Sequence, residues 1–446
     1  MRKSLFNLLF ISFVFVLASW SDARAKMFEL NEFVLDNGLR VVVIPNHKAP
    51  IIKHMVWYQV GSIDEVLGKS GKAHLLEHLL FRGTKKVKDS VFNTLIEENG
   101  GDSNAFTSYD FTAYHQTLDI SKLELAMALE ADRMENLNIN EKAFEKERNI
   151  VFQERKQVVD SSPLGNFMEF LRRSFWQEHP YGRPVIGTDE EIMSLSFDDV
   201  MSFYKAFYAP NNAILVLSGD IDVETAQKLS KKYYGKVASK ELGKRPEIKL
   251  NKQPFSSKIE MSLEDINSPR FIKTYQINSY NTDKSEIYAN IILSKYLGEG
   301  ETSKLYKDMV LDNKNALSVS TSANVFARSM GSFSFSVLPM EGSDVSLVEE
   351  NLNKSLEKAI NELTEKDVLE TKEKMLSGLV YIRDNPSDAA YILGSMVSIG
   401  MPVEEVNAYD ENLAKVQFED VKKAAQKLLK NEQYIVGILT PKQEVK

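Results

Sequence analysis

His74, Leu75, Leu76, Glu77 and His78 run as H-x-x-E-H. On a helix, histidines four positions apart lie one turn above each other, so their ring nitrogens can converge on one ion at about 2 Å. Glu77 stands three residues after His74 and flanks the same face. A carboxylate there is placed to take a proton from water polarised by a divalent ion, which is hydrolytic chemistry. With 6 histidines in 446 residues, about one chain in a hundred of this composition carries the motif by chance, so the spacing alone does not decide. Leu75, Leu76, Leu79, Leu80 and Phe81 also fit an ordinary amphipathic helix with the histidines at its edge.

A further candidate ligand lies downstream. The stretch from Glu141 to Val159 reads as a helix, with Phe144, Val151 and Val158 at seven-residue steps along its core-facing stripe. Glu147 and Glu154 fall on the interleaved positions. Carboxylates on such a stripe are costly unless a cation or hydrogen-bond donors compensate them, and an ion held by two imidazoles is such a cation. In a slightly rotated helix both glutamates instead meet solvent or pair with Arg148 and Arg155.

This pattern resembles the M16, or pitrilysin-like, zinc peptidases, in which H-x-x-E-H is followed some six dozen or more residues later by a glutamate that completes the metal site. Glu154 matches, at 154 − 78 = 76 residues. The resemblance implies one Zn2+ per chain on His74, His78 and Glu154, with Glu77 as general base and Glu147 supporting catalysis. Residues Gly100 to Thr107 resemble the family's substrate-edge strand, where Asn104, Ala105 and Phe106 would bind peptide backbone by β-addition. Phe106 equally suits a core position. Leu35 to Arg40 resembles the family's opening hairpin, and Asn37-Gly38 is itself a signal for a tight primed turn. Pro180 to Pro184 and Tyr208 to Asn212 read as further family-like turns. His47, His54, His115 and His179 have no ligand spacing and read as surface or packing residues.

An internal repeat organises the chain. Phe197-Asp198-Asp199-Val200 leads to Ile214-Leu215-Val216-Leu217 as Phe418-Glu419-Asp420-Val421 leads to Ile435-Val436-Gly437-Ile438; 418 − 197 and 435 − 214 both give 221. The expected organisation is a signal peptide over residues 1–25, an N-terminal catalytic domain over 26–235, a solvated lysine-rich linker over 236–256 and a metal-free C-terminal domain over 257–446. Strand-like runs such as Arg40 to Ile44 and Thr112 to Leu118, with longer helical runs such as Lys122 to Glu135, argue an α+β class. From the resemblance, each domain is a mainly antiparallel sheet packed against helices, and the two form half of a clam-shell chamber. Only the first half keeps the metal residues: Ile287 to Ser294 holds no histidine, and the offset carries Glu154 onto Met375.

Composition narrows the address and the partners. A formal charge of −8 gives no basic footprint for nucleic acid, and the absence of cysteine excludes disulfides and thiolate ligands. Arg2 and Lys3, the apolar stretch from Leu5 to Trp20 and Ala23-Arg24-Ala25 read as a cleaved secretory signal, which leaves no stable membrane span and a periplasmic or secreted protein; an uncleaved anchor is the alternative. In many M16 enzymes the C-terminal half supplies an arginine and a tyrosine that hold substrate. Leu311 to Val319, at the matching place, contains neither. The expectation is a zinc endopeptidase for short unfolded peptides that draws those groups from a second M16-like subunit, as heterodimer or homodimer. A non-catalytic assembly subunit of such a complex is the alternative.

Overall fold

The computed structural model describes residues 26–88, 91–248 and 256–442. The segment read as a signal peptide lies outside them. Apolar runs, broken in β3 by the buried Lys53 and His54, form the centre of the first sheet: β2 (Arg40–Pro45), β3 (Ile51–Tyr58) and β6 (Ala213–Gly219) are buried along almost their whole length. Strands covered on both faces have no polar side to alternate with. Around them stand β1 (Asn31–Val34), β4 (Asp102–Thr107) and β5 (Thr112–Asp119), in the order β1-β2-β6-β3-β5-β4. Only β2 and β6 run parallel.

The second sheet repeats that plan. Its strands β7 (Ser257–Leu263), β8 (Arg270–Ile277), β9 (Ala316–Asn324), β10 (Gly331–Pro339) and β11 (Tyr434–Pro441) take the order β7-β11-β8-β10-β9, again with one parallel pair, β7 with β11. Setting β2 on β7 and β6 on β11 superposes the order strand for strand, with β1 as an addition at the edge of the first sheet. The α+β class and two like domains, each a mainly antiparallel sheet on helices, are therefore the observed architecture.

Each half also lends a helix to the other. Pro163–Trp176 lies on β11 and β7, while Pro386–Ser398 lies on β3 and β6. Glycine makes both approaches possible. A Cβ on Gly394 would stand 2.1 Å from the Trp57 ring, and one on Gly437 would stand 2.8 Å from Leu171 and Phe167. A buried ion pair joins the halves as well: Arg328 donates to both Asp64 oxygens at 2.7 and 3.0 Å.

Two local expectations change. The turn between β1 and β2 is not primed, because Gly38 has φ +85° whereas Asn37 is absent from the positive-φ residues. Asn37 instead spends its amide on the carbonyls of Tyr234 and Val237, both at 2.8 Å, which fits a type I turn closed by a left-handed glycine. The first part of the lysine-rich linker is docked on the first half: Lys240 Nζ donates to the Tyr208 carbonyl at 2.7 Å and Arg245 to Asp64 at 2.8 Å.

Candidate metal centre

His74 and His78 sit on the helix Lys72–Leu79, and Glu154 near the end of Glu141–Arg155. The apolar residues around the histidines build the first helix. Leu75, Leu76 and Leu79 are buried in the core beneath the first sheet, which leaves the imidazoles on the opposite flank. Glu65 fixes its start. This fully buried carboxylate accepts the amides of Gly71 at 3.2 Å and Ala73 at 2.7 Å, and burial pushes its pKa up to about 8.

The second helix follows its stripe for two steps and then leaves it. Phe144, Val151 and Glu147 are buried, but Val158 is 59% exposed because residues Lys156–Asp160 widen into a π turn that shifts the face by a residue. Neither nearby arginine takes the glutamates. Arg148 donates to the Leu195 carbonyl and Arg155 to Glu169, Asp189 and the Gly187 carbonyl.

Ligand atoms of His74, His78 and Glu154 all lie within 4.8 Å of one another. Glu154 stands 3.3 Å from His78 Nε2 and 3.9 Å from His74 Nε2. Bonds near 2 Å to a tetrahedral ion imply ligand-to-ligand edges of about 3.3 Å, so the trio fits one divalent ion after a small adjustment. Its electrostatics agree. Burial, then the neighbouring His78, holds the His74 pKa well below the usual imidazole range. Burial also acts to lower His78, but hydrogen bonds to Glu147 and Glu154 outweigh it and push its pKa up to about 9. The hydrogen bond from His78 draws Glu154 down. The two rings thus share a single positive charge with an acid facing them, a charge that a cation can replace.

Supporting groups surround the trio. The Glu147 carboxylate, 1% exposed, lies 3.5 Å from His78 Nδ1 and pairs with Arg82 at 2.6 Å, so an acid stands behind the ring nitrogen that turns away from Glu154. Glu77 accepts a hydrogen bond from Thr107 Oγ1 at 2.5 Å. Burial raises the Glu77 pKa more than that bond lowers it.

The edge strand divides its residues between two faces. Ala105 packs toward the core that holds the histidine helix, on the side where Thr107 reaches Glu77. Phe106 lies on the other face, 5.4 Å from Trp57 and 5.5 Å from Tyr391 between ring centroids. Asn104 turns its side chain onto the Ala105 amide at 2.8 Å. Period-two alternation from Thr107 is the signal that separates these faces. His115 belongs with Phe106, its Nδ1 2.9 Å from Lys53 Nζ. His54 is enclosed by Gln116 and Tyr234, His179 by Ser329, and His47 faces Asp220. Arg82, Thr107 and Glu65 had no spacing signal, since each reaches the site through a contact that only folding creates.

Comparison with known proteins identifies the family. Residues 40–189 match the family described as Insulinase (Peptidase family M16), and residues 194–375 match the Peptidase M16 inactive domain. The zinc protease PqqE of Helicobacter pylori is 28% identical over 417 residues, 91% of this chain and 92% of that protein. The mitochondrial-processing peptidase subunit beta of Lentinula edodes is 26% identical over 413 residues, 89% of this chain and 86% of its own. Among solved structures, a protease from Helicobacter pylori superposes with a TM-score of 0.86 at 27% identity, covering 93% of this chain and 100% of that one. The periplasmic protease PqqL of Escherichia coli, at 17% identity and TM-score 0.79, shares the fold over 93% of this chain but only 48% of its own. With a first half that matches the M16 peptidase and a second half that matches the M16 inactive domain, the chain is a half-length member of peptidase family M16.

Proposed function

We propose that this chain is a zinc-dependent endopeptidase that hydrolyses short unfolded peptides, works in the periplasm or outside the cell, and pairs with a second M16-like subunit. The convergence of His74, His78 and Glu154 beside the buried Glu77 carries the reading. Zinc, when bound, polarises the scissile carbonyl and acidifies water. Glu77 accepts a proton from the attacking water and returns it to the leaving amine, and its raised pKa suits both halves of that exchange. Thr107 orients the Glu77 carboxylate through its hydroxyl. Glu147, backed by Arg82, holds the His78 ring in register.

Substrate backbone adds to β4. This strand pairs with β5 on one side only, which leaves a row of backbone donors and acceptors that recognise peptide without reading side chains. Ala105 lies on that strand on the side of the histidine helix, while Asn104 borders it from the other face. Phe106 serves as support through its edge-on and tilted ring contacts with Trp57 and Tyr391. Leu311 to Val319 offers neither arginine nor tyrosine, the reason for assigning substrate-holding groups to a partner chain.

Cleavage of a quenched fluorescent peptide by the wild type and by Glu77→Gln, alone and with the candidate partner, tests the proposal. The variant should retain metal and lose at least about a thousandfold in rate. Equal silence of both proteins with the partner present would favour a non-catalytic assembly subunit.

A further inference from the structure

The helix that the first half lends to the second sheet leaves a cavity of about 520 Å³ beside β8, β9 and β10. That volume is typical of a small-ligand site. Its wall is apolar, with Leu164, Met168 and Phe175 on the helix Pro163–Trp176. The floor is a hydroxyl surface. Strand register sets Ser336 opposite Ser320 and Ser334 opposite Ser322, with Thr274 bonded to Ser334 at 3.0 Å.

Two guanidiniums line the same cavity, Arg172 from the helix and Arg270 from β8. Among the described residues neither forms an ion pair, although Arg172 stacks 5.2 Å from the centre of the Tyr109 ring. Arg172 is exposed and Arg270 half-buried, whereas the more enclosed Arg133, Arg155 and Arg328 each face a carboxylate. Two guanidiniums on one groove, neither of them in an ion pair among the described residues, can serve an anionic ligand, and their forked geometry suits a carboxylate.

We infer that this cavity is a subsite for the C-terminal carboxylate of a peptide, with the arginines on the carboxylate, the hydroxyls on the last peptide groups and the helix wall against the terminal side chains. The assignment rests on the peptidase reading, since such carboxylates end every substrate and product. Hydroxyls that both donate and accept bind backbone in either sense, which suits ligands of varied sequence. The lining helix also begins nine residues after Glu154, beyond the π turn Lys156–Asp160, so it continues the segment that bears the third ligand.

The test uses the full chain carrying Glu77→Gln, so that peptide is not cut, and two eight-residue peptides of alanine, serine and leucine that differ only in a terminal carboxylate or carboxamide. Calorimetric titration should show the acid binding about tenfold tighter than the amide. Arg172→Gln with Arg270→Gln should erase that difference and leave the amide affinity unchanged. Equal affinity for acid and amide with both arginines intact overturns the subsite, as does full acid preference in the double variant. The first comparison decides even if the double variant fails to fold. Acid preference in a chain whose wild type, with the candidate partner present, cuts neither peptide would sink the peptidase reading alone, whereas cleavage of both without preference would sink only the subsite.

Discussion

The Glu65 carboxylate accepts the backbone amide of Ala73 at 2.7 Å, so a single buried acid anchors the start of the helix that bears both candidate histidine ligands. Its neighbour Asp64 holds Arg328 of the second half. One short turn, Ser62–Asp64 with Glu65, therefore ties the helix of the candidate ligands to the second half.

Glu65 imposes a pH slope on stability. Burial raises its folded pKa from 4.5 to about 8, so between those values the unfolded chain sheds a proton that the folded chain keeps. Stability from this group is present in full below the unfolded value and is lost as pH rises toward about 8. Thermal midpoints of wild type and Glu65→Gln across that range should diverge, with the wild type losing ground as pH climbs. Parallel curves would contradict the assignment.

Arg82 should tune metal affinity from outside the ligand set. Removing it leaves the Glu147 carboxylate short of its cation partner and free to shift away from His78. Arg82→Leu is expected to weaken zinc binding about 10- to 100-fold, with Arg82→Lys recovering part of the loss, measured by competition with a chromophoric chelator. Unchanged affinity in the leucine variant would make the pair purely structural.

The lent helices give an ordered pair of stability effects. Gly394→Ala drives a methyl into the rigid Trp57 indole at 2.1 Å, whereas Gly437→Ala meets the movable ends of Leu171 and Phe167 at 2.8 Å. Alanine normally strengthens a helix, yet here Gly394→Ala should cost at least about 1–3 kcal/mol, and more than Gly437→Ala, by urea denaturation. The reverse order would show that the Trp57 contact gives way more easily than its packing implies.

Breaking the ion pair between the halves should be expensive. Arg328→Met leaves the Asp64 carboxylate, 1% exposed, with Arg245 as its one remaining cation beside the Gly61 amide, at an expected cost of about 3–5 kcal/mol. Equilibrium unfolding followed by tryptophan fluorescence and circular dichroism measures it, and the two probes should separate in the variant as the halves uncouple. A loss under 1 kcal/mol, on the order of a surface pair, would contradict a coupling role.

What the sequence could disclose followed the range of each interaction. His74, Glu77 and His78 share one helical turn, and Glu147 and Glu154 share one stripe, so local spacing put all five forward as candidates while the roles of the two glutamates came from the family resemblance. The preserved offset of 221 disclosed the repeat because a helix and a strand kept it together. Arg82 and Thr107 stayed hidden, since one finds Glu147 across helices and the other finds Glu77 from a sheet edge. Nothing local says that Pro163–Trp176 will cover the other half's sheet; its apolar stripe specifies a buried face and no particular partner. The Asn37 turn was misjudged for the same reason, as its amide answers to carbonyls some two hundred residues away.

The claim on which the account stands is that His74, His78 and Glu154 hold one ion together, and zinc titration of the demetallated chain with X-ray absorption of the product tests it most directly. The account predicts one equivalent per chain, with two nitrogen ligands and carboxylate oxygen at about 2 Å, and loss of tight binding in Glu154→Ala. Stoichiometric zinc held as tightly by Glu154→Ala as by the wild type would contradict it.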